Sequence, residues 1–120
     1  GVGEGTWEQG VYDYKKLPRQ GAVENFDEKL VASFSYSSSD REFVTYDNPQ
    51  VVYQKTDYIK RNNLRGVMFW ELSGDFPTSH ERSLLSAAYH GLGGKSALDQ
   101  TPNHRSFPDS VYENVRNRFE

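Results

Sequence analysis

The sequence has 120 residues, a formal net charge of -3 and no cysteine, so it forms at most one domain and holds neither disulfides nor thiolate metal sites. Its mild acidity argues against a reader of the nucleic-acid backbone, which normally carries a basic patch. No apolar run approaches the roughly 18 residues of a membrane-spanning helix, and no signal peptide is visible at the first residues.

The first 29 residues are predicted to be irregular. Glycine occupies four of the first ten positions, and Pro18 and Gly21 interrupt the stretch that follows. The Gly-x-Gly at the start has no strand before it and no Gly-Lys-Ser/Thr after it, so it is not a phosphate-binding loop.

An antiparallel hairpin is predicted next. The run LVASFSYS, Leu30–Ser37, alternates apolar and polar residues from Ala32 onwards, which is typical of a half-buried strand. Residues 38–41 are turn material, and EFVTYD, residues 42–47, reads as the second strand.

An α-helix is predicted after the hairpin. Asn48 or Asp47 can cap its N-terminus, and Pro49 suits the first helical position. Asn62 and the asparagine after it should end the helix. The residues expected to share one face are Val52, Lys55 and Ile59.

The run GVMFWELSGD, residues 66–75, follows that helix. Its apolar part, from Val67 to Trp70, is too short for a helix and predicts a parallel strand buried on both faces, with Val67 and Met68 in the core. By alternation, Phe69 should pack against helices. A buried parallel strand needs parallel neighbours, and this chain supplies none.

Two further helices are predicted. The first begins after Pro77, with Thr78-x-x-Glu81 as a capping box, and ends at Gly93-Gly94. A short terminal helix begins near Pro108 or Asp109. Its apolar residues are expected to be Val111, Tyr112, Val115 and Phe119. The basic cluster from Arg116 to Arg118 is expected to be the solvated end of this helix.

Several stretches together resemble the family-18 glycoside hydrolases, the chitinases. LRGVMFWELSGD resembles the eighth strand of that family's barrel, and TYDNPQVVYQKTDYIKRNNLRGVMFW matches the helix-then-strand run that contains it. GTWEQGVYDYKKLPRQGA and the tail LGGKSALDQTPNHRSFPDSVYENVRN resemble segments of fungal endochitinases. The resemblance covers nearly the whole chain in the family's order.

This resemblance implies an α/β fold: the C-terminal part of a (β/α)8 TIM barrel, preceded by part of a small α+β insertion with an antiparallel hairpin. Residues 1–46 would belong to the insertion, and residues 47–120 would form the last helix-strand-helix unit and the tail. The implied partners are chitin or chitooligosaccharides and the remainder of the barrel, with no nucleic acid, no membrane, no metal and no cofactor. A secreted protein is favoured over a cytoplasmic one.

The family's acid motif, Asp-x-x-Asp-x-Asp-x-Glu, does not occur in these 120 residues. The resemblance implies hydrolysis of β-1,4 bonds between N-acetylglucosamine units by a substrate-assisted retaining mechanism, in which the motif's Glu is the general acid. This chain would supply the floor and one wall of the cleft but no catalytic residue, so we expect it to be inactive alone. Two alternatives stay open: an inactive chitin-binding protein of lectin type, and an independent α+β module.

The resemblance assigns substrate binding to Trp70, as the floor of a sugar subsite, and to Trp7 and Glu8 at the cleft wall. From the residues alone, Trp70 could equally be a core aromatic and Trp7 an incidental aromatic of a surface turn. Glu71 and Asp75 are too far apart along a strand, roughly 13 Å, for a glycosidase acid pair, and loop solvation or capping near Thr78 is expected instead. The residues expected to be structural or on the surface are Tyr46, Asp47, His80, His90 and His104, the histidines lacking metal-ligand spacing.

Overall fold

The computed structural model describes residues 1–102, 104 and 106–117. Three strands precede the α-helices in chain order, and none of the helices in this part of the chain has the length and apolarity needed to cross a membrane. The strands are β1 (Val23–Asp27), β2 (Ala32–Ser37) and β3 (Glu42–Tyr46), and the α-helices are α1 (Pro49–Arg61), α2 (Leu84–Gly91) and α3 (Glu113–Arg116). Short 3-10 helices occupy Tyr14–Lys16, Leu72–Gly74 and Gly94–Ala97.

The strands form one antiparallel sheet in the order β1-β2-β3. Phe34 of β2 lies between Asn25 of β1 and Thr45 of β3. The predicted hairpin, β2 and β3, is confirmed, but the expectation of irregular structure up to residue 29 is wrong for β1. This strand, VENFD, has too few apolar residues for its own periodicity to reveal it, and it is recognisable only through its pairing with β2.

The buried face of the sheet carries serines rather than aromatics. Ser33, Ser35 and Ser37 are each 1% exposed, whereas Tyr36 is 45% exposed. The predicted alternation is therefore present, but its apolar side is the more exposed one. The short serine side chains leave room for rings on this face, where Tyr14 packs against Tyr46 with ring centroids 6.0 Å apart. Local hydrogen bonds limit the cost of burying two of the three hydroxyls, since Ser33 Oγ donates to the Tyr46 carbonyl and Ser37 Oγ donates to Asp40 Oδ2 at 2.9 Å.

Helix α1 confirms the predicted start and end. Asn48 Oδ1 accepts a hydrogen bond of 3.0 Å from the Val51 amide, Pro49 is the first helical residue, and Asn62 is the C-cap. Lys55, expected on the same face as Val52, is exposed, and its ammonium pairs with Asp47 at the surface. The buried residues of the helix are Val51, Val52 and Thr56.

Helix α2 packs against α1 through small residues. Val52, Ala87 and Ala88 form a buried cluster, and Phe69 packs against it, as its predicted orientation required. The predicted start of this helix near Thr78 is wrong: α2 begins at Leu84 with Ser83 as its N-cap. The predicted end is confirmed, since the helix ends at Gly91 with Leu92 as its C-cap and the chain continues through a left-handed Gly93.

The predicted buried strand from Val67 to Trp70 does not form. Residues 64–70 are neither strand nor helix, and Met68 is 80% exposed. The expectation that Val67 and Met68 lie in a core is therefore wrong. A strand exists only through hydrogen bonds to neighbouring strands, and no strand among the described residues pairs with this run.

The terminal helix is shorter than predicted and starts later. Pro108 and Asp109 lie in a turn, closed by a 3.0 Å hydrogen bond from the Ser110 amide to the Phe107 carbonyl, and α3 begins only at Glu113. Arg116 is exposed at the end of α3. Phe119, predicted as an apolar residue of this helix, and Arg118, predicted in its basic end, lie outside the described residues.

Candidate functional site

Two segments that are distant in sequence line one open cleft of about 430 Å³. One segment runs from Trp7 to Tyr14, and the other runs from Phe69 to Asp75. Trp70, Trp7 and Glu8 all line this cleft. The structure thus brings together the three residues that the sequence assigned to substrate binding.

The Trp7 segment is a tight loop held by its own backbone. The Thr6 amide donates to the Val11 carbonyl at 2.8 Å, and the Val11 amide donates to the Glu8 carbonyl at 3.0 Å. Gly5 has a φ of 76°, and a Cβ at this position would lie 1.8 Å from the Glu8 carbonyl oxygen. The loop therefore requires glycine there, and it presents Trp7 with 86% of its surface exposed.

The edge of the Trp7 indole is fixed by Asp13. Trp7 Nε1 donates to Asp13 Oδ2 at 3.2 Å, and the Asp13 amide donates to Thr6 Oγ1 at 2.9 Å. The indole N–H is thereby occupied, so Trp7 offers its ring faces to a ligand rather than a hydrogen-bond donor. Asp13 was missed from the sequence, because no spacing rule links it to a tryptophan six residues earlier.

Trp70 faces the cleft as an exposed indole. It is 93% exposed and follows Phe69, which packs on the helices, so alternation along an extended chain turns Trp70 the other way. The Trp70–Glu71 peptide bond is cis. The core alternative for Trp70 does not hold in this structure.

The two carboxylates after Trp70 have local partners. Asp75 accepts hydrogen bonds from the amides of Leu84 at 3.0 Å and Leu85 at 2.9 Å, and from Ser83 Oγ at 3.1 Å. Asp75 therefore caps α2 at Leu84 and Leu85, whereas the sequence predicted capping near Thr78. Glu71 accepts a hydrogen bond from Ser73 Oγ. These three donors occupy the Asp75 carboxylate at the N-terminus of α2.

A partly buried polar network lies behind the cleft. Tyr14, which lines the cleft, is 9% exposed, and burial raises the pKa of its phenol. The Arg82 guanidinium lies over the Tyr14 ring, 5.5 Å from its centroid, and donates bidentately to Glu24 at 2.8 and 3.2 Å. Burial also raises the pKa of Tyr46 to about 12, and its hydroxyl donates to Glu24 at 2.7 Å. The sequence carried no periodic signal for Tyr14 or Glu24, since both fall in the stretch predicted to be irregular.

Metal binding has no support in the described part of the chain. No group of three or more His, Asp or Glu side chains is placed there to hold an ion. Stacking surfaces and hydrogen-bond acceptors are the chemistry that the cleft offers.

The sequence matches a known family and its members. The family model described as glycosyl hydrolases family 18 matches residues 1–75. Endochitinase 1 of Metarhizium robertsii is 39% identical over 119 residues, covering 99% of this chain and 27% of that protein. Chitinase 1 of Aphanocladium album is 37% identical over 116 residues, covering 97% of this chain and 26% of that protein.

The fold also has a solved counterpart. Chitinase ChiA74 from Bacillus thuringiensis superposes with a TM-score of 0.68 at 35% identity, covering 82% of this chain and 18% of that chain. The chain thus spans about a quarter of the length of the fungal relatives that it matches.

Proposed function

The chain belongs to glycosyl hydrolases family 18, and from that membership we propose that it is part of a chitinase that hydrolyses β-1,4 bonds in N-acetylglucosamine polymers. Within such an enzyme the chain contributes the sugar-binding floor and one wall of the cleft. The observation that carries this role is the convergence of Trp70, Trp7 and Glu8 on one cleft from two distant segments.

The chemistry of these three side chains suits an N-acetylglucosamine polymer. The C–H face of a pyranose ring packs on an indole, and both indoles are almost fully exposed. Glu8 is also exposed and can accept hydrogen bonds from sugar hydroxyls. The uncharged polymer needs no basic side chain or metal for its recognition.

The bond-breaking step requires a group that this chain does not contain. In the substrate-assisted retaining mechanism proposed here, the N-acetyl carbonyl of the substrate attacks the anomeric carbon while a Glu of the acid motif protonates the leaving oxygen. That motif is absent from these 120 residues, and Asp75 is occupied by the N-terminus of α2. General acid catalysis commonly contributes about 100-fold to 10,000-fold, so the chain alone should bind chitooligosaccharides without cleaving them.

The test is a titration of the chain with chitohexaose, followed by tryptophan fluorescence, for the wild type and Trp70→Ala. We expect Trp70→Ala to weaken binding about tenfold, because one stacking contact is lost. Trp7 remains in the variant as the reporter. Free reducing ends are measured in the same samples, and we expect no increase above the single reducing end that each chitohexaose molecule already carries.

The matched control is Tyr112→Ala, which removes an exposed aromatic outside the cleft and should leave the affinity unchanged. Cellohexaose, which lacks N-acetyl groups, serves as the ligand control. Unchanged affinity of Trp70→Ala would remove Trp70 from the site, and release of reducing ends would contradict the assignment of the acid to another part of the enzyme.

The alternative is a chitin-binding protein of lectin type. The occupied state of Asp75 and the missing acid motif are compatible with binding alone. The two functions differ in the full-length protein: a chitinase releases reducing ends from chitohexaose, and a lectin binds the same ligand without releasing them.

A further inference from the structure

One side chain joins the two segments that line the cleft. Lys15 Nζ donates to the Ser73 carbonyl oxygen at 2.6 Å, across 58 positions of sequence. Ser73 lies in the 3-10 helix Leu72–Gly74, directly after Trp70 and Glu71. Lys15 therefore ties the segment that carries Trp7 to the loop that carries Trp70.

The same ammonium also lies close to the residue that holds Trp7. Lys15 Nζ is 3.7 Å from Asp13 Oδ2, the atom that accepts the Trp7 indole N–H at 3.2 Å. The Asp13 side chain is only 12% exposed, and a Cβ built on Gly74 would lie 3.7 Å from Asp13 Oδ1, so the two segments lie close together at this point. A continuous set of contacts thus runs from the Trp7 indole through Asp13 and Lys15 to Ser73.

We propose that Asp13 and Lys15 are positioning residues that set the separation of Trp7 and Trp70 and so determine which chitooligosaccharide lengths contact both indoles. Neither side chain needs to touch the sugar. The inference rests on the proposed function, because it concerns the same cleft. With the tie to Ser73 removed, the Trp7 loop keeps its own backbone bonds but loses its fixed distance from Trp70.

Ligand length separates this role from a structural one. A long oligomer can contact both indoles at once, whereas a disaccharide contacts one of them, so loss of the tie should weaken only the binding of long ligands. The Lys15 side chain is 37% exposed, and Asp13 keeps its hydrogen bond from the Trp7 indole when Lys15 is replaced, so the unfolding temperature should change little.

The experiment compares the wild type, Lys15→Met and Lys15→Arg in titrations with chitohexaose and chitobiose. We expect Lys15→Met to weaken chitohexaose binding about threefold to tenfold and to change chitobiose binding less than about twofold. Lys15→Arg, which can still donate to the Ser73 carbonyl, should restore most of the loss.

In a Trp7→Ala background, Lys15→Met should have no further effect on chitohexaose binding. The matched control is Lys60→Met, which removes the Lys60–Asp57 pair on α1 and should change neither affinity.

The sugar-free chain gives an independent measurement. In a ¹⁵N-resolved NMR spectrum, the Trp7 Nε1–H resonance should shift in Asp13→Ala and in Lys15→Met but stay in place in Lys60→Met. An unmoved resonance, or equal losses for long and short ligands in Lys15→Met, would overturn the positioning role while leaving the proposed function intact. A wild type that binds neither ligand would instead overturn the proposed function, and the positioning role with it.

Discussion

Glu24 shows at the residue scale how one side chain connects separate parts of the chain. Its carboxylate accepts hydrogen bonds from Tyr46 in β3, from Asn48 at the cap of α1 and from Arg82 in the segment before α2. Burial alone would raise the pKa of the Glu24 carboxyl, but the hydrogen bonds from Arg82, Tyr46 and Asn48 outweigh it and hold the pKa below the ordinary 4.5. Glu24 therefore fastens the sheet to the helices.

This network predicts how stability depends on pH. The folded-state pKa of Glu24 lies below its unfolded value, so its contribution is present above about pH 4.5 and is lost as the pH falls through the folded-state pKa. Arg82→Met leaves the carboxylate without its charged partner and should lower the free energy of unfolding at pH 7 by about 1–2 kcal/mol, allowing for the partial exposure of both side chains. Urea unfolding between pH 3 and 7 measures both effects.

In Arg82→Met the decline of stability towards acid pH should be shallower than in the wild type. Arg65→Met is the control, since Arg65 is exposed and lies outside this network. If the free energy of unfolding of Arg82→Met fell with pH as steeply as that of the wild type, the Arg82–Glu24 pair would not be the cause of the loss of stability at acid pH.

At the element scale, helix α1 was predictable because its boundaries are set locally. An Asn-Pro pair begins it and an Asn ends it, and both signals act through backbone groups within a few residues. The start of α2 was not predictable in the same way. Asp75 lies nine positions before Leu84 and reaches the helix only because the intervening loop folds back, so a local capping box at Thr78 was a misleading signal.

The packing of α1 on α2 depends on a glycine. A Cβ at Gly91 would lie 2.2 Å from Thr56 Oγ1 and 3.0 Å from Thr56 Cβ. Gly91→Ala should therefore lower the free energy of unfolding by about 1–3 kcal/mol, because the two helices must move apart. This exceeds any gain in helix propensity at the last residue of α2. Thermal and urea unfolding measure the change.

The matched test of this packing is the double variant Gly91→Ala/Thr56→Ala. Removing the Thr56 hydroxyl should recover most of the loss caused by Gly91→Ala, since the nearest clashing atom is gone. Additive losses in the cycle would mean that the Thr56 contact is not the source of the effect.

The whole molecule leaves much of its apolar surface uncovered. Its radius of gyration is 18.6 Å, whereas a compact domain of this length has about 14 Å. Met68 and Trp70 are the most exposed residues of an extended run whose backbone is not paired with a strand among the described residues. A run of this kind is a template for pairing with another chain.

We therefore expect the chain to self-associate as its concentration rises. Met68→Lys should reduce association, because a charge in the unpaired run opposes burial against a second molecule. Val111→Lys is the control, with a side chain of nearly the same exposure outside that run. Light scattering or sedimentation across micromolar concentrations gives the measurement, and equal behaviour of the two variants would contradict a role for residues 64–70.

The hairpin, helix α1, the orientation of Phe69 and the family follow from the amino-acid sequence alone, because each depends on local periodicity, local capping or a run of residues in fixed order. The sequence also named Trp70, Trp7 and Glu8, through the resemblance alone. The tertiary structure was needed to show which face of β2 is buried, that β1 joins the sheet, that Asp75 caps α2, and that Lys15 and Asp13 link the two segments that carry the tryptophans. These features are contacts between residues far apart in sequence, and no periodic pattern in a single segment encodes its partner. The apolar run at 67–70 shows the same limit, since its residues predict a strand but a strand forms only where a neighbour supplies the hydrogen bonds.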